Sequence, residues 1–197
     1  MARIRGANNF HTAEVTENSK DNYTVGTLTK TERIINIELD VKEDSEVLYS
    51  DDEIEEYVYG TPERTGKVEL NYLSNDTKVK LIGGVIDKNG VYFPPAEDAA
   101  KKHVALAFKA PTGGGKARLV VYYDVVFTEP QFKAETAESK PKSSTCELEF
   151  VCYKNKKIDK HYADLDTNGE ESNSIIEGKW FTEVYDEIAD AITVETP

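Results

Sequence analysis

The chain has 197 residues, 39% of them hydrophobic and 31% charged, a balance that suits one folded domain over 1–197 and excludes low-complexity and wholly disordered chains. Its 37 acidic side chains against 24 Lys and Arg leave a net charge of -13, which argues against a general nucleic-acid binder, because such proteins need clustered positive charge. No apolar run approaches the ~20 residues of a membrane span, and residues 1–15 lack the apolar core of a signal peptide, so no membrane anchor is expected.

Alternation of period two marks a strand over Arg33–Lys42, with Ile35, Ile37, Leu39 and Val41 on one face. From Val41 to Gly66 the pattern weakens. Val47, Leu48, Tyr49, Ile54, Tyr57, Val58 and Tyr59 stand among acids and precede Thr61-Pro62, which predicts an extended acidic hairpin arm over 41–66. Gly66–Leu73 alternates again through Val68, Leu70 and Tyr72. Ser74-Asn75-Asp76 predicts the cap of a short helix over 75–82, stopped by Gly83-Gly84. Asn89-Gly90, between Val85-Ile86 and Val91-Tyr92-Phe93, is a type I′ hairpin signal.

Two strong strands follow, one through Val104, Leu106 and Phe108, the other with Leu119, Val121, Tyr123, Val125 and Phe127 on one face. A Gly-rich loop at 111–116 joins them. Cys146, Leu148, Phe150 and Cys152 mark one more strand. Trp180, Val184, Ile188 and Ile192, spaced by four, predict an amphipathic helix over 179–192. The expected fold is mainly β: an antiparallel β-sandwich or open barrel with a short helix near 75–82, a C-terminal amphipathic helix and the extended arm.

Charge is unevenly placed. Ten acids and one base, Lys42, lie between Glu38 and Glu56, and ten acids face two bases between Asp159 and Asp190. The stretch 57–158 holds 16 bases and 12 acids. Such polarity suits either a solvated acidic surface or a head-to-tail assembler, in which unlike patches of neighbouring copies meet.

Catalytic and metal chemistry finds little support. His11, His103 and His161 have no Cys, Asp or Glu at a recognised ligand or triad spacing. Cys146 and Cys152 are about 20 Å apart along one strand at ~3.3 Å per residue, too far to bridge, so free thiols are expected. Gly113-Gly114-Gly115-Lys116 fails as a phosphate loop, since Ala117 follows the lysine and a strand stands where a helix is needed. Asp164, Asp166 and Asn168, ahead of Gly169, have the oxygen spacing of a calcium loop, but Ile175 occupies the position of the bidentate Glu. A turn explains the same residues. The chain is therefore expected to be no enzyme and to need no cofactor. A monomeric carbohydrate- or calcium-binding β-sandwich using the 164–169 loop remains as an alternative.

The succession Asn89–Tyr92, His103–Lys109, a Gly-rich loop, Ala117–Tyr123, Val126–Pro130, then Thr136 followed by Lys140-Pro141 resembles the major tail protein family of long-tailed phages, which forms the tail tube. An amino-terminal strand, the acidic arm around Tyr49–Tyr59, the short helix before Gly83-Gly84 and the closing Gly178–Phe181 come in the family's order. The order carries the resemblance, not any one motif.

The resemblance implies homo-oligomeric, hexameric rings joined edge to edge and stacked through the arm into a hollow tube. It also implies assembly in the host cytoplasm, residence in the virion tail, and contact with other tail proteins such as terminator or distal tail components. Tape measure protein and DNA would pass through the lumen without specific binding. The stacking contact is expected to use Tyr49, Tyr57 and Tyr59 with Asp51, Asp52 and Glu53, against a net-basic surface drawn from 57–158. Glu38, Asp40, Glu147 and Glu149 are the candidates for the lumen wall, because an acidic wall repels DNA.

Overall fold

The computed structural model describes residues 6–31, 34–43, 45–50, 53–60, 62–96, 101–130, 145–169 and 174–188. In chain order the strands are β1 (Asn8–Asn18), β2 (Tyr23–Val25), β3 (Thr29–Lys30), β4 (Ile34–Lys42), β5 (Ser45–Ser50), β6 (Glu53–Tyr59) and β7 (Glu63–Leu70). Helix α1 (Asn75–Leu81) precedes β8 (Val85–Ile86), β9 (Tyr92–Phe93), β10 (His103–Gly113), β11 (Lys116–Phe127), β12 (Cys146–Tyr153), β13 (Tyr162–Asp166) and helix α2 (Ser174–Lys179).

The fold is mainly β, as the alternation predicts. One antiparallel sheet has the order β2-β1-β10-β11-β12-β7-β4, with β3 added beside β1 and β13 beside β11. The sheet coils until β4 approaches β1. Phe10, Val68, Leu70, Leu106, Phe127, Leu148 and Phe150 fill its concave side, which Leu81 and Ile82 of the α1 region help to close. A second cluster lies on the convex side of β1, β10 and β11, where Leu119, Val121 and Tyr123 are covered by Tyr23, Leu28 and Trp180. With apolar layers on both faces, β11 reads as a continuous apolar run.

That run hides a break in parity. Leu119, Val121, Tyr123, Val125 and Phe127 do not share one face as their spacing predicts. Val104 pairs with Val125 but Leu106 pairs with Tyr122, so Tyr123 and Asp124 together oppose Ala105 in a β-bulge, and a one-residue slip turns the following side chains over. Leu119, Val121 and Tyr123 enter the convex cluster, and Val125 and Phe127 the concave one.

Turn chemistry also moves. The type I′ turn sits at Gly114 and Gly115, with φ of 60° and 80°, joining Gly113 to Lys116. At Asn89-Gly90 only Gly90 has positive φ. Asp87 organises that wider loop, its carboxylate accepting from the backbone N–H of Asn89 at 2.8 Å and of Val91 at 2.9 Å. Helix α1 forms where expected: Ser74 Oγ accepts from the Thr77 N–H at 3.2 Å, and Gly83 and Gly84 follow at φ of 101° and 89°. Strand β7 ends at Leu70, which leaves Tyr72 exposed.

The helix expected over 179–192 does not form across its described part. A helix of six residues, α2, ends at Lys179, where the expected one begins, and the Lys179 carbonyl accepts from the N–H groups of Thr182 and Glu183. The chain then runs without regular structure to Ile188, and Ile192 lies outside the described residues. Tertiary partners decide this. Trp180 is buried, the Tyr123 hydroxyl donates to the Tyr185 carbonyl at 2.8 Å, and Lys157 pairs with Asp186 at 3.0 Å. Those contacts leave Ile188 exposed.

Gly66 is required by packing. A Cβ there would stand 2.4 Å from Cζ of Phe150 and 2.6 Å from the Glu38 carbonyl oxygen, so the ring lies directly over the glycine. Gly66→Ala is expected to destabilise by about 1–3 kcal/mol, the usual cost of overpacking, read as a lower urea midpoint.

Burial pushes the Cys152 thiol up to about 12 and raises the phenols of Tyr23, Tyr122 and Tyr123. Each group holds its proton more tightly folded than unfolded. Its stabilising contribution is therefore complete below the unfolded values of about 8.5 for Cys and 10 for Tyr, and is lost as pH rises above them. The urea midpoint should fall steadily from roughly pH 9 upward. A midpoint unchanged at pH 10.5 would contradict this burial.

Candidate functional site

Three surfaces carry the features that single this molecule out: an acidic sheet face, a separate hairpin and a cationic cleft where β12 and β13 part.

The acidic face lies on β4, β7 and β12. Glu38 pairs with Lys67, and Lys67 with Glu149; Glu69 stands opposite Glu147; Asp40 stands opposite Thr65. Residues opposite each other share a face, so the four candidates Glu38, Asp40, Glu147 and Glu149 come together with Glu69 on the side away from Val68, Leu148 and Phe150. Lys67 is the one cation these cross-strand pairs place among the five carboxylates. Its ammonium lies 3.2 Å from Glu147 and 3.3 Å from Glu149, and those hydrogen bonds raise its pKa. Both ion pairs are exposed and contribute little to stability, so the face remains strongly negative.

The hairpin is β5 paired with β6 in a two-stranded sheet of its own. Ser45 is opposite Tyr59, Val47 opposite Tyr57, and Tyr49 opposite Ile54 after a register shift. Its span is shorter than the 41–66 expected. Val41 and Lys42 pair with Arg64 and Glu63 in the main sheet, and Arg64, Thr65 and Gly66 also pair with β12, because these residues lie within reach of a neighbouring strand. Among the described elements, none packs extensively on β5 or β6. Asp51 and Asp52 lie outside the described residues; Glu53 opens β6 opposite Ser50.

The cleft was not visible as a motif, since its residues come from distant parts of the chain. Strand β11 pairs with β13 through residues 118–122 and with β12 through 124–127. The sheet forks where β12 and β13 part. The opening, of about 500 Å³, is lined by Arg64, Lys154, Asp159, Lys160, His161 and Asp164, with Pro62 at its rim.

Both acids there are engaged. Lys154 Nζ holds Asp159 at 2.9 Å and lowers its pKa, and Arg118 Nε holds Asp164 at 3.0 Å. Arg64 and Lys160 have no ion pair among the described residues, and Arg64 Nε is buried without a hydrogen-bond partner. Burial, then the charges of Arg64 and Lys154, hold His161 below its ordinary value.

A buried polar knot fixes the wall of this cleft. Asp124, at the β11 bulge, takes His103 Nδ1 at 2.6 Å on one oxygen and Asn18 Nδ2 at 2.7 Å on the other. Asn18 also donates to the Lys154 carbonyl and accepts from the Lys156 N–H. The histidine does have a carboxylate partner, across a strand pair that sequence spacing cannot register.

The candidate calcium loop straddles the end of β13: Asp164 and Asp166 lie in the strand and the turn follows at 167–169. Asp164 and Asp166 project beside the Arg118 guanidinium, 3.0 and 4.0 Å away, where a cation would otherwise sit. Asp166 Oδ1 accepts from the Asn168 N–H at 2.9 Å and from its side-chain amide at 2.7 Å, which lowers the Asp166 pKa. Asn168 also reaches Thr112 at 3.2 Å. Among the described residues, no group of three His, Cys, Asp or Glu side chains is arranged to hold a metal ion, and no helix is long and apolar enough to cross a membrane. No protein-family model matches the chain, and a search of curated proteins finds no match to it.

Proposed function

We propose that the chain is the structural subunit of a phage tail tube, assembling into stacked, hexameric rings that form a conduit for genome delivery. The observation that carries this reading is the hairpin β5–β6, which leaves the main sheet between its edge strand β4 and β7 and forms a sheet of its own. A two-stranded hairpin is marginal alone in water, and proteins usually cover or pair such edges. Pairing with another copy supplies what the subunit does not.

The acidic face supports the same reading. DNA carries about one negative charge per 1.7 Å of axis, so a conduit must repel it, and Glu38, Asp40, Glu69, Glu147 and Glu149 would do so from the lumen wall. Tape measure protein and DNA would pass without specific binding, and terminator or distal tail proteins would close the tube ends. Assembly would take place in the host cytoplasm. The subunit would act by assembly alone, with no catalytic step.

Negative-stain microscopy of the purified protein over rising concentration tests this directly, with rings or tubes of uniform diameter expected. A protein that remains monomeric throughout would overturn the reading.

A further inference from the structure

We propose that the cationic cleft in the fork between β12 and β13 receives the acidic hairpin of a second copy of the chain. This deepens the self-assembly reading and rests on it.

The cleft has unspent positive charge. Asp159 and Asp164 pair with Lys154 and Arg118, while Arg64 and Lys160 form no ion pair of their own among the described residues, although Lys160 lies near enough to Asp159 to help lower its pKa. The buried Arg64 Nε lacks an acceptor. A carboxylate is the acceptor that a guanidinium fork fits best.

The chain supplies such carboxylates in the hairpin. Asp51, Asp52, Glu53, Glu55 and Glu56 fall within six consecutive residues, and no Lys or Arg occurs between Glu43 and Tyr59. Charge complementarity therefore selects this segment.

Reach then decides between the chain's own hairpin and a neighbour's. Arg64 and Pro62 place the cleft at the root of the hairpin, whereas the pair Ser50 and Glu53 lies eight residues further along the ribbon from Lys42, about 25 Å at ~3.3 Å per residue. The hairpin pairs with no strand of the main sheet among the described strands, so its tip is left for the cleft of another copy. Donor and receiver are different patches of one subunit, so the contact is heterologous and propagates.

Charge reversal tests the pairing. Lys160 is exposed, so Lys160→Glu should fold normally, checked by an unchanged melting temperature. It should raise the protein concentration needed for half-assembly at least about tenfold, because opposed like charges at a contact cost more than 1.4 kcal/mol. Glu53→Lys with Glu55→Lys should weaken assembly similarly, and all three substitutions on one chain should restore it.

A parent protein that assembles while Lys160→Glu assembles equally well overturns the cleft and leaves the tube reading standing. So does a triple variant without rescue. A parent that never assembles overturns both. Inorganic phosphate binding, by calorimetry, that Lys160→Glu abolishes without changing assembly would assign the cleft to a small anion and overturn the hairpin as its occupant.

Discussion

Deleting Glu43–Pro62 and closing Lys42 to Glu63 with an Asn-Gly turn should leave a folded subunit that no longer polymerises. Lys42 and Glu63 already form a cross-strand pair, so a two-residue type I′ turn matches the geometry they need. The body should tolerate the loss, because among the described strands β5 and β6 pair only with each other and form a sheet of their own. The expected result is a monomer whose melting temperature stays within a few degrees of the parent, since every strand pair of the main sheet is kept. Assembly, by contrast, should be lost altogether, not merely weakened. The hairpin holds three aromatics, Tyr49, Tyr57 and Tyr59, and such side chains supply large contact area at small entropic cost. Tubes of normal length from the deleted protein would sink the stacking role. Raised salt should shift the intact protein the same way to a smaller degree, because exposed charge contacts are screened beyond about 8–10 Å at physiological ionic strength.

The largest loss of stability is expected from Trp180→Ala, about 3–5 kcal/mol by the usual cost of truncating a buried Trp. Trp180 is 4% exposed and stacks on Tyr185, ring centroids 6.4 Å apart at 16°. It covers Leu119, Val121 and Tyr123, the convex cluster on β11. Removing it would open a cavity and also loosen the segment 180–186, in which Phe181, Val184 and Tyr185 pack on the same cluster and the Tyr123 hydroxyl and Lys157–Asp186 pair add polar contacts. Domains of this size have about 5–15 kcal/mol in hand, so the variant should unfold at a markedly lower urea concentration. Trp180→Phe, which keeps most of the buried area, should lose much less. A loss below about 1 kcal/mol for Trp180→Ala would mean that the tail does not seal this face.

Much of the candidate site was legible in residues close together in the chain. The acids of β4 and β12 alternate with apolar residues that must be buried, so their common outward face follows from period two once the two strands share a sheet. The weakly apolar, acid-rich stretch before Thr61-Pro62 likewise announces a segment that cannot pay for burial on the core. The cleft was illegible for the opposite reason. Arg64 and Lys160 stand 96 positions apart, and nothing local to either marks it as unpaired; only the forked pairing of β11 brings them to one opening. His103 and Asp124 meet through the β10–β11 pairing in the same way.

By itself, the sequence determined what short-range sterics and alternation control: the antiparallel strands, the capped helix at 75–81, the separate acidic hairpin and the unbridged cysteines. The tertiary structure decided wherever a residue had two local options of similar energy. Val125 and Phe127 could follow Tyr123 on its face or turn away, and the bulge at Tyr123-Asp124 turned them so that Asp124 could bind Asn18 and His103 while both apolar clusters were filled. Residues 180–188 had a helical spacing, but an isolated helix that short is marginal in water. Burying Trp180 and binding the Tyr185 carbonyl to Tyr123 outweighed the hydrogen bonds a further turn of helix would have made.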